Sequence, residues 1–114
     1  MPPIEFEILP RMNHFTNKRG YNAIRAASPW HFRAAKPPGD HEFGAYFTTL
    51  APETPYLALR LGIPKTKTEF LFSFIDRGDL RPMDNDRGDF IFYSSHDYDV
   101  EENRQRYNGR SDES

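Results

Sequence analysis

The chain has 114 residues, no cysteine, 37% apolar and 15% aromatic residues, and a formal net charge of -2. That length fits one domain with one core, and the missing cysteines exclude disulfides, thiolate metal sites and thiol nucleophiles. The near-neutral balance lacks the strong positive excess of a nucleic-acid binder, and no apolar run approaches the ~18 residues of a membrane span. The sequence therefore reads as a soluble domain with no membrane partner and no nucleic-acid signal, whose bulky rings must supply most of the buried area.

The elements follow in chain order. Ile4 to Leu9 alternates apolar and acidic residues, as an edge strand with one wet face does. Residues 11 to 16 predict a second strand, with Met12, His14 and Thr16 on one side and Asn13 and Phe15 on the other. Asn17 is a capping residue, and Tyr21, Ala23, Ile24 and Ala27 predict a helix from Gly20 to Ala27 that Pro29 ends. Ser28 to His41 predicts a long loop carrying Trp30, His31, Phe32 and Arg33, a docking surface or the rim of a pocket. Residues 43 to 49 predict a strand, and Thr54 to Leu61 a short helical run before Gly62 and Pro64. Glu69 to Ile75 is the strongest strand, bulky enough for burial on both faces.

Asp76 to Gly88 is turn-rich, and its Arg77-Gly78-Asp79 and Arg87-Gly88-Asp89 triplets read as turn chemistry. Asp89 to Tyr93 predicts a further strand. Residues 103 to 114 are polar and read as a flexible tail. These elements make an α+β domain over residues 1–102, with a small, largely antiparallel, split sheet and one or two short helices.

The candidate site is a histidine, a tyrosine and an acid on separate strands: His14, Tyr46 and Asp89. Breaking a nicotinamide–ribose bond develops positive charge on the sugar, which a carboxylate stabilises. A neutral imidazole suits ribose hydroxyls, and a tyrosine offers a stacking face. Glu69, Asp97, Asp99, Glu101 and Glu102 are rivals for the acid. The mildly basic first half, including Arg25 and Arg33, suits a phosphate-bearing ligand. His31 and His41 with Asp40 and Glu42 show no recognised metal-ligand spacing, so no metal is assigned. Ser94-Ser95-His96-Asp97 contains triad residue types, but strand neighbours point to opposite faces. Phosphate-binding glycine loops are missing.

His14-Phe15-Thr16 followed by Gly20 and Ile24, then Gly44-Ala45-Tyr46-Phe47-Thr48 with Pro52, then Asp89-Phe90-Ile91-Phe92-Tyr93, resembles the ADP-ribosyltransferase superfamily. Within it the pattern is most similar to the His-Tyr-Asp class of toxin-type domains, over residues 12 to about 93. The resemblance implies an ADP-ribosyltransferase-like fold and NAD as substrate, with ADP-ribose passed to an acceptor or to water. It implies catalytic roles for His14, Tyr46 and Asp89, and cofactor contacts from His14, Phe15, Thr16, Ala45, Tyr46, Thr48 and Arg33. It further implies a toxin or effector acting in the cytoplasm or delivered to another cell, and a neutralising immunity protein. The alternatives are a noncatalytic nucleotide- or protein-binding member of the fold, or an NAD glycohydrolase.

Overall fold

The computed structural model describes residues 10–36, 43–83 and 89–114. The predicted strand at Ile4 to Leu9 lies outside the described residues, as do 37–42 of the Ser28 to His41 segment and Arg87-Gly88 of the second triplet. Ten elements follow one another: β1 (Arg11–Thr16), α1 (Lys18–Arg25), β2 (Trp30–Phe32), β3 (Ala45–Thr48), α2 (Leu57–Leu61), β4 (Phe70–Ile75), β5 (Arg81–Pro82), β6 (Ile91–Ser94), β7 (Tyr98–Val100) and β8 (Gln105–Arg110). Six strands form one antiparallel sheet in the order β5-β6-β3-β1-β4-β8, and β2 pairs with β7 in a separate antiparallel ladder. The fold is α+β, as the sequence predicts.

Strand alternation decides what each face carries. Met12, Ala45, Phe47, Phe72 and Phe74 share one face of the large sheet. Against it lie Trp30 and Phe32 of β2, Tyr98 and Val100 of β7, and Ile24 of α1. Rings meet edge-on across this layer: Phe32 lies 5.2 Å from Phe47 and 5.6 Å from Phe72, and Trp30 lies 4.9 Å from Phe72. The opposite face carries Phe15 and Leu71 under Leu57 of α2. β4 is therefore buried on both sides, as its near-continuous apolar run predicts.

α1 starts where Asn17 accepts a hydrogen bond from the Gly20 N–H at 2.9 Å, satisfying one of the orphan donors of its first turn. It runs from Lys18 to Arg25, two residues earlier at each end than expected, because the cap rather than Pro29 sets its frame. A Cβ at Gly20 would collide with Thr16 Oγ1, so this first turn packs against the end of β1 only without a side chain.

Two expectations give way to β-structure. In the supposed loop, Trp30 to Phe32 is β2, with both rings buried; the pairing that creates it comes from β7, about 68 residues later. The supposed tail contains β8, paired with β4 from Phe70↔Arg110 to Phe74↔Gln105 around an irregularity beside Ser73. β8 needs few apolar residues because it hydrogen-bonds to the open edge of β4 and buries only one side. Arg104, just before it, is buried. Its Nε donates to the Ile75 carbonyl and its Nη2 to the Tyr98 hydroxyl.

That hydroxyl donates in turn to Asp79 Oδ1 at 2.7 Å. Arg77 joins Asp79 to Glu101, and Glu101 returns to Arg104, closing a ring of five side chains. Gly78, at φ 83, makes the turn that places Asp79 there, with the Gly78 N–H on Asp76 Oδ1. The turn reading of the first Arg-Gly-Asp triplet holds.

Phe72 is fully buried at the centre of the ring layer. Phe72→Ala is expected to cost about 3–5 kcal/mol of stability, read as a lowered urea midpoint with little change in slope.

Candidate functional site

β1 and β3 are neighbours in the sheet, with Asn13 opposite Thr48. The register puts His14 opposite Phe47 and Phe15 opposite Tyr46, so the His14 and Tyr46 side chains leave opposite faces of the sheet. What joins them is main chain: His14 Nδ1 lies 2.8 Å from the Tyr46 carbonyl oxygen. A carbonyl only accepts, so Nδ1 carries the proton and Nε2 is an acceptor in the neutral ring. Around the half-buried imidazole stand Phe32 at 4.9 Å and Phe47 at 5.5 Å. Burial lowers its pKa to about 4, against a smaller upward pull from the Tyr46 carbonyl.

Tyr46 stacks on Tyr93 across the β3–β6 pair, with centroids 5.7 Å apart. Asp89 is exposed and stands outside β6, which begins at Ile91 rather than at Asp89. It precedes Phe90, whose carbonyl receives Thr49 N–H and Thr48 Oγ1. His14 and Tyr46, expected around one cavity, thus point to opposite faces of the sheet, and Asp89 precedes β6. A motif read along a strand gives the order of residues but not the face each takes once strands pair.

The remaining candidates divide between packing and solvent. Phe15 and Ala45 are core residues. Thr48 is buried, donating to the Phe90 carbonyl at 2.7 Å and accepting from the Leu50 N–H at 3.1 Å. Thr16 is half-buried beside Gly20, and Arg33 is exposed near Asp97.

A cluster that the sequence reading had split between two ideas is assembled on the outer side of the β2–β7 ladder. His31 Nδ1 meets Asp99 at 2.6 Å and Nε2 meets Asp97 at 3.0 Å, and Asp97 also accepts the Ala34 N–H at 2.8 Å. Both partners of the ring are acceptors, so the geometry belongs to the imidazolium. The Asp99 contact, followed by Asp97, raises the His31 pKa despite some desolvation; the Ala34 N–H and His31 hold Asp97 below the usual carboxylate range. The signal in the sequence was the alternation Asp97-Tyr98-Asp99, which puts both acids on one face of a strand.

Two hollows lie elsewhere. One of about 500 Å3 is walled by α1, β2 and β8. The other, about 780 Å3 between α2 and the C-terminal turn, sets Lys65 and Arg110 against Glu69 and Asp112. Among the described residues, no group of three or more His, Asp or Glu side chains is placed to hold a metal ion, and no helix is long and apolar enough to cross a membrane. Searches against family models, curated proteins and solved structures find no match to this chain.

The two imidazoles carry opposite pH signatures. His14 has a folded pKa below its ordinary 6.5, so the folded state binds fewer protons than the unfolded one. Stability is full above pH 6.5 and falls as pH drops toward 4, by about 3 kcal/mol between pH 7 and pH 4. His14→Phe should remove this component, seen as a flatter acid limb in urea unfolding. A limb as steep as the wild type's would refute the assignment.

His31 has a raised folded pKa, so its contribution is present below pH 6.5 and is lost as pH rises through the folded value. Asp97, held low, keeps the clasp intact until pH falls below the ordinary carboxylate range. The melting-temperature gap between wild type and His31→Gln should therefore be widest at mildly acidic pH and close toward pH 9. A gap independent of pH would show that the charged clasp does not form.

Proposed function

We propose that this domain is an NAD-cleaving ADP-ribosyltransferase of the His-Tyr-Asp type, releasing nicotinamide and passing ADP-ribose to an acceptor nucleophile. The observation that carries the reading is the 2.8 Å bond from His14 Nδ1 to the Tyr46 carbonyl. It couples the two motifs most similar to that class, 32 residues apart, and it fixes one tautomer. With the pKa lowered to about 4, the ring stays neutral at pH 7 and presents Nε2 as an acceptor. An acceptor nitrogen of fixed orientation suits a ribose hydroxyl, which must donate. His14 is then a positioning group for the sugar and not an acid or base.

Transfer breaks the nicotinamide–ribose bond with its electron pair leaving on nicotinamide, and the anomeric carbon is taken by an acceptor or by water. A carboxylate near the sugar stabilises the developing charge; that acid is Asp89 or one of its rivals Glu69, Asp97, Asp99, Glu101 and Glu102. A toxin or effector role with a neutralising partner, in the cytoplasm or in a target cell, belongs to this proposal. The departure of the His14 and Tyr46 side chains from opposite faces of the sheet favours a second reading, a noncatalytic domain that binds a nucleotide.

Proton NMR of the full chain incubated with NAD tests both. Accumulating free nicotinamide is expected, with His14→Ala lowering kcat/KM at least tenfold, mainly through KM, as loss of a binding contact does. Thermal stabilisation by NAD without nicotinamide release would favour the noncatalytic reading. Neither release nor stabilisation would overturn both.

A further inference from the structure

We propose that the hollow between α1, β2 and β8 binds a phosphate group. It is an open hollow of about 500 Å3 lined by the exposed Asn22, Arg25 and Ala26 of the α1 segment, the buried Trp30 of β2 and the exposed Asn108 of β8. Its polar lining is Asn22, Arg25 and Asn108, side chains that carry donors. The Tyr21 hydroxyl donates to Asn108 Oδ1 at 2.8 Å. That bond occupies the acceptor end of the amide and leaves Nδ2, with its two N–H groups, for a ligand.

The Arg25 guanidinium lies 5.2 Å from the centre of the Tyr21 ring, and Tyr21 stacks on Phe70 at 4.7 Å. Arg25, Tyr21 and Asn108 therefore form one connected rim. Arg25 takes part in none of the ion pairs among the described residues, and no carboxylate lines the hollow. A guanidinium has five donors, no acceptor and a permanent charge. The Asn22 amide can supply a further donor, and the buried Trp30 ring forms an apolar wall. The negative pole of α1 opposes an anion here. It amounts to a partial charge on an eight-residue helix, against the full charge of Arg25.

A ligand made only of acceptor oxygens with negative charge matches this rim. Free phosphate and the phosphate of a sugar or nucleotide share that chemistry. The inference is independent of NAD cleavage, since neither His14 nor Tyr46 lines the hollow.

The test is 1H–15N NMR of the full chain titrated at constant ionic strength with inorganic phosphate, ribose 5-phosphate and ribose. Saturable shifts are expected at the side-chain amides of Asn22 and Asn108 and at Arg25 Nε–H with both phosphates and not with ribose. Tighter binding of the ester would identify a sugar phosphate as the source, and equal binding the free ion. Arg25→Gln, with a dispersed spectrum showing that it folds, should weaken binding about tenfold. Unsaturable shifts, a response to ribose alone, or unchanged affinity in Arg25→Gln would overturn the proposal.

Discussion

The structure depends on one constraint: a chain with few aliphatic residues must close its core with rings. Phe32, Phe47, Phe72, Phe74, Trp30 and Tyr98 do this between the large sheet and the β2–β7 ladder. Edge-to-face contacts let flat groups fill a layer at crystal-like density without voids. The ladder is only three residue pairs long, too short to persist alone. It exists because Trp30, Phe32, Tyr98 and Val100 are buried beneath it, and the same burial encloses His14 and keeps it neutral. Core formation and the chemistry of that imidazole are one event.

The polar groups at the edge of this layer share partners. Tyr98 brings a hydroxyl to the edge of the core, and Asp79 and Arg104 satisfy it from opposite sides. Burial and the hydroxyl's donation to Asp79 push the Tyr98 pKa up, with Arg104 pulling the other way. Losing either partner would leave a desolvated group unpaired, the costly case for hydrogen bonds. The ring through Arg77 and Glu101 also fastens the turn after β4 to the start of β8, which explains why a segment as polar as 103–110 is ordered.

Legibility in the sequence tracked where the stabilising partner sits. β1, β3 and β4 were readable because alternation or continuous bulk is written within each run, and the Asn17 cap because its partner is three residues away. β2 and β8 were not, since each is a strand only by virtue of a partner far along the chain, β7 for one and the edge of β4 for the other. Trp30-His31-Phe32 is itself an alternating triplet, but it is too short to stand out against flanking prolines. Within the site, the adjacency of the two motif strands was legible in the sense that both motifs were strands. The faces were not: the β1–β3 register, Asn13 opposite Thr48, decides that His14 goes inward while Tyr46 goes outward, and a one-residue slip would reverse it.

That register changes what a shared site between β1 and β3 can be. Side chains on opposite faces cannot sandwich one ring, so one ring that meets the His14 imidazole meets Tyr46 only through its backbone. The contact between His14 and Tyr46 is of this kind, a carbonyl oxygen setting a tautomer. The tyrosine ring is not needed for it; the strand position is. Meanwhile the Tyr46 ring belongs to a surface with Tyr93, on the face where α2 packs over Phe15 and Leu71. A dinucleotide long enough to reach both faces would have to pass an end of β1 or β3. Thr16 and Gly20 stand at one such end, where the absence of a side chain at Gly20 lets α1 begin directly against the strand. The motif pattern and the sheet geometry are reconciled if His14-Phe15-Thr16 and Gly20 serve first to fix that corner, with ligand contacts made around it rather than across the sheet.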